Sequence, residues 1–354
     1  MAPETRYDRL AAHLDRAIVG APRTETLIRI LEILFPPAEA DIALRMPVMH
    51  KMTPAELEKA IPEHASHLPE TLRTMAARGT VQRYRRPGRE DRFALLPSAK
   101  GWFDTPYWSG RATEDARRLA PLWLRYREEA FGAELARGDM PVFRVVPVGR
   151  ALKHDPQVLP FEDLRPRIAA QSFAAVSFCP CRQMKAAVGE GCGHSLEVCF
   201  NFGSLARYLV DQGMGREVSV AETMEIAKAC EEEGLVHCVE NIEGHLSTLC
   251  NCCGCCCLFI GANKQPGVRA LAPSAHAAWA SPERCTACGD CIALCPVDAI
   301  ALPEGSTAVV NDRRCLGCGL CSARCPEQAI TLMPRHPADP PPDVGTFLER
   351  KLAR

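Results

Sequence analysis

Two matching stretches near the C-terminus decide how the last part of this chain folds. They read Cys285-Thr-Ala-Cys288-Gly-Asp-Cys291-Ile-Ala-Leu-Cys295-Pro296 and Cys315-Leu-Gly-Cys318-Gly-Leu-Cys321-Ser-Ala-Arg-Cys325-Pro326. Each stretch holds three cysteines separated by two residues, and a fourth cysteine directly before a proline. The match continues in register in Val297-Asp-Ala-Ile300-Ala-Leu302 and Glu327-Gln-Ala-Ile330-Thr-Leu332. The two stretches are therefore copies of one repeated unit.

The cysteine spacing predicts two [4Fe-4S] clusters with crossed ligands. Three closely spaced thiols can take three corners of a cubane, and the cysteine before proline in the other stretch supplies the fourth corner. The predicted ligand sets are Cys285, Cys288, Cys291 and Cys325 for one cluster, and Cys315, Cys318, Cys321 and Cys295 for the other. Structural zinc also uses C-x2-C pairs, but two like runs that each end in Cys-Pro favour clusters over zinc.

Residues 281–333 resemble the bacterial two-cluster ferredoxins on these motifs. The resemblance implies a small pseudo-symmetric module, in which short hairpins and two helical turns surround the clusters. It also implies a role in moving single electrons at low potential. Burial and hydrogen bonding set the potential of such clusters. Six apolar side chains are expected to shield them, namely Ile292, Leu294, Ile300, Leu316, Leu320 and Ile330.

The centre of the chain carries two further groups of cysteines. A predicted strand at 173–178 runs into Cys179-Pro-Cys181-Arg182, which is followed by Cys192 and Cys199. The second group is Cys250-Asn-Cys252-Cys253-Gly-Cys255-Cys256-Cys257, with six thiols in eight residues. Adjacent cysteines cannot all reach one cubane without strain, so this run is expected to divide its thiols among different partners or to leave some unused.

Three interpretations of the central cysteines compete. The first is a third [4Fe-4S] cluster on Cys179, Cys181, Cys192 and Cys199. The second is a zinc or mixed site that draws on residues 250–257, and the third is a set of redox-active dithiols. Cys230 and Cys238 fall outside both groups and are expected to be buried structural thiols.

The first hundred residues predict a winged-helix-like domain. Leu27, Ile30, Leu31 and Leu34 have helical spacing, Thr53-Pro-Ala-Glu56 is a capping box, and a third helix begins near Pro69. Two short strands follow, at 80–84 and 92–96, and the arginines around their turn would make a basic wing. Lys and Arg exceed Asp and Glu by only three in residues 1–100, so DNA binding is the less favoured interpretation.

From about residue 25 onward the chain resembles a prokaryotic family of ferredoxin-like proteins. In that family a winged helix precedes a Cys-Pro-Cys-Arg motif, a Cys-Asn-Cys-Cys-Gly-Cys-Cys-Cys run and a two-cluster module. Shorter matching pieces include Phe143-Arg-Val-Val-Pro147 and Gly234-Leu-Val-His237. The resemblance implies iron-sulfur electron transfer and does not imply a particular substrate.

Length and composition predict an α+β multidomain protein. The chain has 354 residues, of which 47% are hydrophobic and 24% are charged, which is enough for more than one core. The aromatic residues near position 105 are expected to pack between domains. The predicted domains are a winged-helix-like domain at 1–100, an aromatic and helical connector at 101–140, a central α/β cysteine-rich domain at 141–280, a 2[4Fe-4S] ferredoxin domain at 281–333, and a Pro-rich linker with a terminal helix at 334–354.

Cysteine usage and missing motifs narrow the class of protein. Twenty cysteines in a chain of this length, mostly bound up in motifs, do not suggest a small secreted disulfide scaffold. The N-terminus has no apolar signal core and no stretch is long enough to span a membrane, so we expect a cytoplasmic protein. The chain lacks dinucleotide-binding, P-loop and zinc-hydrolase motifs. Electrons are therefore expected to enter and leave through a redox partner protein, a donor or an acceptor.

Three functional hypotheses follow from the sequence. The leading one is an iron-sulfur electron-transfer protein, an electron carrier or a component of an oxidoreductase, with two C-terminal clusters and a further central metal or redox site. The second is an iron-sulfur-dependent regulator that binds DNA through the winged helix. The third is an oxidoreductase with an active-site cluster at Cys250–Cys257.

Overall fold

The chain forms short helices and strands in a computed structural model that describes residues 4–138, 140–152, 162–335 and 339–352. In chain order the α-helices are α1 (Arg6–Leu14), α2 (Glu25–Leu34), α3 (Pro37–Ala43), α4 (Pro54–Ala60), α5 (Leu68–Arg78), α6 (Thr105–Trp108), α7 (Glu114–Tyr126), α8 (Gly132–Leu135), α9 (Leu164–Ala169), α10 (Pro180–Ala187), α11 (Gly203–Asp211), α12 (Val220–Glu233), α13 (Leu258–Asn263), α14 (Asp290–Leu294), α15 (Leu320–Arg324) and α16 (Val344–Leu352).

The strands are also short, and most of them lie in the second half of the chain. In order they are β1 (Val81–Tyr84), β2 (Arg92–Leu95), β3 (Phe143–Val146), β4 (Ala174–Phe178), β5 (Glu197–Phe202), β6 (Arg216–Val218), β7 (Val236–Glu240), β8 (Thr248–Cys252), β9 (Leu271–Ala272), β10 (His276–Ala280), β11 (Ile300–Ala301), β12 (Val309–Val310) and β13 (Ile330–Pro334). The fold is therefore mixed α and β.

The chain divides into two compact units that do not follow chain order. Unit 1 comprises Met1–Glu134, Ala175–Gly191 and Gly203–Glu217. Unit 2 comprises Leu135–Ala174, Cys192–Phe202 and Val218–Arg354. The chain thus passes from one unit to the other several times between residues 134 and 218, inside the region where the sequence predicted one central domain.

The predicted N-terminal helices and hairpin are confirmed in unit 1. Helix α2 buries Leu27, Ile30, Leu31 and Leu34, and Thr53 forms the predicted capping box at the start of α4. Helix α5 then leads into β1 and β2, which pair as an antiparallel hairpin. The assignment of this arrangement as a winged helix stays a prediction.

An aromatic cluster fills part of the core of unit 1. The Trp123 ring lies 5.4 Å from the Trp102 ring and 4.7 Å from the Phe103 ring, the latter edge to face. Tyr126 and Phe131 stack 5.5 Å apart beside them. Buried aromatic pairs of this kind contribute large apolar areas and favourable ring contacts. The aromatic residues of the predicted connector therefore serve as core, inside unit 1.

In unit 2, five strands lie side by side in the order β5, β8, β7, β3, β9. Strand β7 pairs antiparallel with both β8 and β3, while β9 pairs parallel with β3. The C-terminal residues add two smaller sheets, β10 with β13 and β11 with β12. The short helices α14 and α15 lie between these strands in sequence, one in each copy of the repeat. This agrees with the hairpins and two helical turns that the resemblance to ferredoxins implied.

None of the helices described is long and apolar enough to cross a lipid bilayer.

We predict that Gly79→Ala destabilises unit 1. Gly79 ends α5 with φ +88°, and an added Cβ would lie 2.2 Å from the Thr105 Cβ. Left-handed strain and this clash together should lower the free energy of unfolding by about 2–4 kcal/mol. Urea unfolding followed by tryptophan fluorescence measures this, because three of the four tryptophans belong to unit 1.

The matched control for this substitution is Gly88→Ala. Gly88 has a similar φ of +68°, but nothing lies within 4 Å of an added Cβ. It should cost only the backbone strain, about 1 kcal/mol. Equal shifts of the urea midpoint in the two variants would contradict the packing argument.

Candidate metal centres

Four thiols surround an open cavity in the C-terminal module. Cys285, Cys288 and Cys291 lie in and just before α14, and Cys325 directly follows α15. All four line this cavity, whose volume is about 460 Å³. Burial raises the pKa of the Cys291 thiol, and the neighbouring thiols of Cys288, Cys285 and Cys325 raise it further. The structure thus brings together the four cysteines of the first predicted ligand set.

The other four thiols line a second cavity of about 360 Å³. They are Cys295, Cys315, Cys318 and Cys321. Burial raises the pKa of the Cys318 thiol to about 12. Cys321 borders both cavities, but the thiols that raise its pKa electrostatically, after burial itself, are those of Cys318, Cys315 and Cys295. The second predicted ligand set is therefore also brought together, with Cys295 contributed by the first stretch.

Both cavities suit a [4Fe-4S] cluster in donor chemistry. Each offers four soft thiol ligands, which favour iron-sulfur or zinc over hard cations. All six apolar side chains expected to act as a shield line one cavity or both, namely Ile292, Leu294, Ile300, Leu316, Leu320 and Ile330.

The two stretches differ in exposure to solvent. Cys288 is exposed and Ile292 is 38% exposed, whereas Cys318 and Cys321 are each only 8% exposed. The first stretch therefore lies at the surface of unit 2, and the second lies in its interior.

One pair of equivalent residues reflects the different burial of the two stretches. Ala287 and Gly317 hold the same place in the two stretches, and both have left-handed backbone, with φ of +57° and +67°. At Gly317 an added Cβ would lie 2.1 Å from the carbonyl oxygen of His276. The buried stretch therefore requires glycine where the exposed stretch accepts alanine.

Backbone N–H groups bond to the two cysteines that precede proline. The Ala299 N–H donates to Cys295 Sγ over 3.1 Å, and the Ala329 N–H donates to Cys325 Sγ over 3.2 Å. The two bonds occupy the same position in each copy of the repeat. Hydrogen bonds to a ligating sulfur stabilise the thiolate and help to set the potential of a cluster.

Comparison with known families agrees with this geometry. Residues 278–333 match the family of the 4Fe-4S dicluster domain. This part of the chain is a ferredoxin-like module, and iron-sulfur cofactors and electron transfer follow from it. Neither curated proteins nor solved structures give a match to the chain.

A further group of four thiols lies outside that module. The Sγ atoms of Cys192, Cys253, Cys255 and Cys256 all lie within 4.8 Å of one another. Cys192 comes from the loop before β5, and the other three come from the turn between β8 and α13. Cys253 and Cys256 are buried and Cys255 is exposed. Four thiols at this separation have the donor set of a thiolate metal site.

The positions of the central cysteines differ in part from the predicted third cluster. Cys192 joins three cysteines of the 250–257 run, and Cys199 is buried in β5 of unit 2. Cys179 and Cys181 belong to unit 1, at the start of α10. The hydrogen bond between the Cys179 and Cys181 thiols stabilises the protonated form of Cys179 and raises the pKa of that thiol, and burial adds to the effect. Cys179 and Cys181 are therefore two thiols in contact, as the dithiol interpretation of this motif requires.

Gly254 lets the central run approach the C-terminal module. A Cβ added at Gly254 would lie 3.0 Å from both the Cα and the carbonyl oxygen of Pro296. The turn that carries Cys253 and Cys255 therefore lies directly against the Cys295-Pro296 segment. Sequence reasoning missed this contact, although a glycine inside a cysteine run is a signal of close backbone approach.

We predict that Gly317→Ala reduces the iron that the protein retains. The added methyl group would collide with β10 and displace the loop that carries Cys315 and Cys318. Gly289→Ala is the control, because Gly289 also has positive φ, at +84°, but nothing lies within 4 Å of its Cβ position. The iron held by the C-terminal module after anaerobic purification should fall by about half in Gly317→Ala, since one of its two predicted four-iron clusters is disturbed. If both variants lost iron equally, the packing of the second stretch would not be the cause.

Proposed function

We propose that this chain is an iron-sulfur electron-transfer protein whose C-terminal module binds two [4Fe-4S] clusters. The observation that carries the proposal is the pair of cavities, each lined by the four thiols of one predicted set, drawn from both stretches, with Cys321 bordering the first cavity as well. The ligands are Cys285, Cys288, Cys291 and Cys325 for one cluster, and Cys315, Cys318, Cys321 and Cys295 for the other. When bound, such clusters supply one-electron oxidation and reduction.

Groups of the protein stabilise the negative charge of the ligating thiolates. Thiolates in an apolar cavity are costly unless positive charge or hydrogen bonds compensate them. The N–H groups of Ala299 and Ala329 supply hydrogen bonds to one ligand of each set. The apolar wall around the cavities, including Ile300 and Ile330, limits the access of water. The hydrogen bonds and the exclusion of water both affect the reduction potential of the clusters.

The exposed first stretch is the side at which a redox partner docks. Cys288 and the flanking residues Thr286 and Ala287 are exposed, and Ile292 offers an apolar contact. The second stretch is covered by its own unit, because Gly317 and Gly319 pack against β10 and residues near Val148. A protein donor or acceptor therefore meets the set that contains Cys288.

The group at Cys192, Cys253, Cys255 and Cys256 is proposed as an additional metal site. A zinc-sulfur bond of about 2.3 Å places four tetrahedral sulfurs under about 4 Å apart. The observed limit of 4.8 Å between the four Sγ atoms is close to this spacing. We propose that it holds a single zinc or iron ion, and that its role is separate from the two clusters.

The N-terminal hairpin gives little support to the alternative of DNA binding. Arg83 forms an ion pair with Asp91 across the hairpin, with Nε 2.7 Å from the carboxylate. Arg85 lies 3.6 Å from Asp211. Two arginines of the basic wing thus already face carboxylates, which reduces their attraction for phosphate.

We predict reversible one-electron reduction of two clusters in the anaerobically purified chain. Redox titration followed by electron paramagnetic resonance should show two interacting signals at low potential. Cys291→Ser should alter one signal and Cys321→Ser the other, because each removes a ligand from a different proposed set, and the thiols nearest Cys321 electrostatically are those of the second set.

Thr286→Ala is the control for the two cysteine variants. Thr286 lies in the exposed first stretch and carries no sulfur, so both signals should stay as in the parent chain. A parent chain whose iron shows no reversible reduction would refute the proposed function. Identical spectra for Cys291→Ser and Cys321→Ser would refute the ligand assignment alone.

A further inference from the structure

Three cysteines outside the sites already described share one face of the sheet in unit 2. Cys238 of β7 lies directly opposite Cys250 of β8 in the antiparallel ladder, and Cys252 lies opposite Val236. Side chains two residues apart on a strand point to the same face, and directly opposed residues share that face. Cys238, Cys250 and Cys252 therefore project to the same side of the sheet.

A fourth thiol reaches this group from the next element of the chain. Cys257 is the N-cap residue of α13, five residues after the end of β8. Cys257 belongs with Cys238 and Cys252 to one buried cluster of side chains, against which Cys250 packs. Hydrogen bonds with Cys238, Cys250 and Cys257 raise the pKa of the Cys252 thiol well above the ordinary value, with burial adding to the effect. The four cysteines thus lie together in one buried cluster.

The surroundings of this group are apolar. Cys238, Cys252 and Cys257 are 2%, 9% and 4% exposed. Phe143 and Ile260 belong to the same buried cluster of side chains. A single buried cysteine behaves as a small hydrophobe and needs no further explanation. Four such thiols together in one cluster exceed what packing requires, and they match the donor set of a soft metal.

The group lies beside the second cavity of the C-terminal module. Cys318, one of the thiols that line that cavity, belongs to the same buried cluster as Cys238. The Cys238 thiol is close enough to Cys318 to raise the pKa of the Cys318 thiol electrostatically, after burial and the thiols of Cys315 and Cys295. The buried end of the ferredoxin-like module therefore faces these four thiols.

We infer that Cys238, Cys250, Cys252 and Cys257 form another thiolate metal site, which binds a soft metal ion or an iron-sulfur cluster. Each ligating thiol releases its proton to solvent when the metal binds. The run from 250 to 257 then serves two sites, because its other three cysteines join Cys192. Cys238 thus acts as a ligand and not only as a structural thiol. The inference goes beyond the proposed function and does not depend on it.

The test is the content of iron, zinc and acid-labile sulfide in full-length variants purified without oxygen. Cys238→Ser and Cys250→Ser should each lose about one zinc or iron ion without sulfide if the site holds a single ion. They should lose about four irons with four sulfides if the site holds a cubane. Cys250 is only partly buried, so its substitution disturbs the core less than substitution of Cys238. Retention of the full iron, zinc and sulfide content in both variants would overturn the inference.

Val236→Thr is the matched control. Val236 lies on the same strand and face as Cys238, two residues away, and it is fully buried in the same cluster. Threonine places a hydroxyl in this core without removing a thiol, so the metal content should not change. An equal loss of metal in Val236→Thr would also overturn the inference, because general loosening of the core would then explain the result.

The two cluster signals are recorded in the same samples. Their persistence in Cys238→Ser and Cys250→Ser shows that the lost metal did not come from the two clusters of the C-terminal module. If the clusters of the parent chain showed no reversible reduction, the proposed function would be wrong. The inference about the four cysteines would still be decided by the metal content of the variants.

Discussion

The cysteine that precedes each proline lines the cavity of the other stretch, and the C-terminal module depends on this exchange. Cys295 joins Cys315, Cys318 and Cys321, while Cys325 joins the first stretch. Neither copy of the repeat can therefore complete a set of four thiols alone. In the proposed ligand sets the ligands are crossed, so a bound cluster would link the segments of α14 and α15, and its binding free energy would contribute to the stability of the fold.

The repeat is symmetric in sequence but not in its surroundings. The N–H bonds to Cys295 and Cys325 are nearly identical. The second stretch packs into unit 2 and the first remains at the surface. The reduction potential of a cluster depends on its burial and solvent exposure. The clusters at the two sites are therefore expected to differ in reduction potential, although their ligands correspond. The surface site suits exchange with a partner, and the buried site faces the further thiols of the same unit.

Local signals made part of this molecule predictable from its sequence. Three thiols of each C-terminal set are close along the chain, and the helices of unit 1 follow from capping and helical spacing. The central thiols could not be grouped in this way, because their grouping depends on which strands become neighbours. The register of β7 with β8 places Cys238 opposite Cys250, and Cys192 meets Cys253 from about sixty positions away. The pairing of Arg83 with a carboxylate across the hairpin likewise depends on the fold.

Mössbauer spectroscopy of the full chain, enriched in 57Fe and purified without oxygen, is the most direct test of the crossed two-cluster module. We expect at least about eight irons per chain to have the spectrum of [4Fe-4S] clusters, with matching acid-labile sulfide. A chain whose C-terminal cysteines hold zinc or isolated iron, with no such spectrum and no sulfide, would show that the module does not bind clusters.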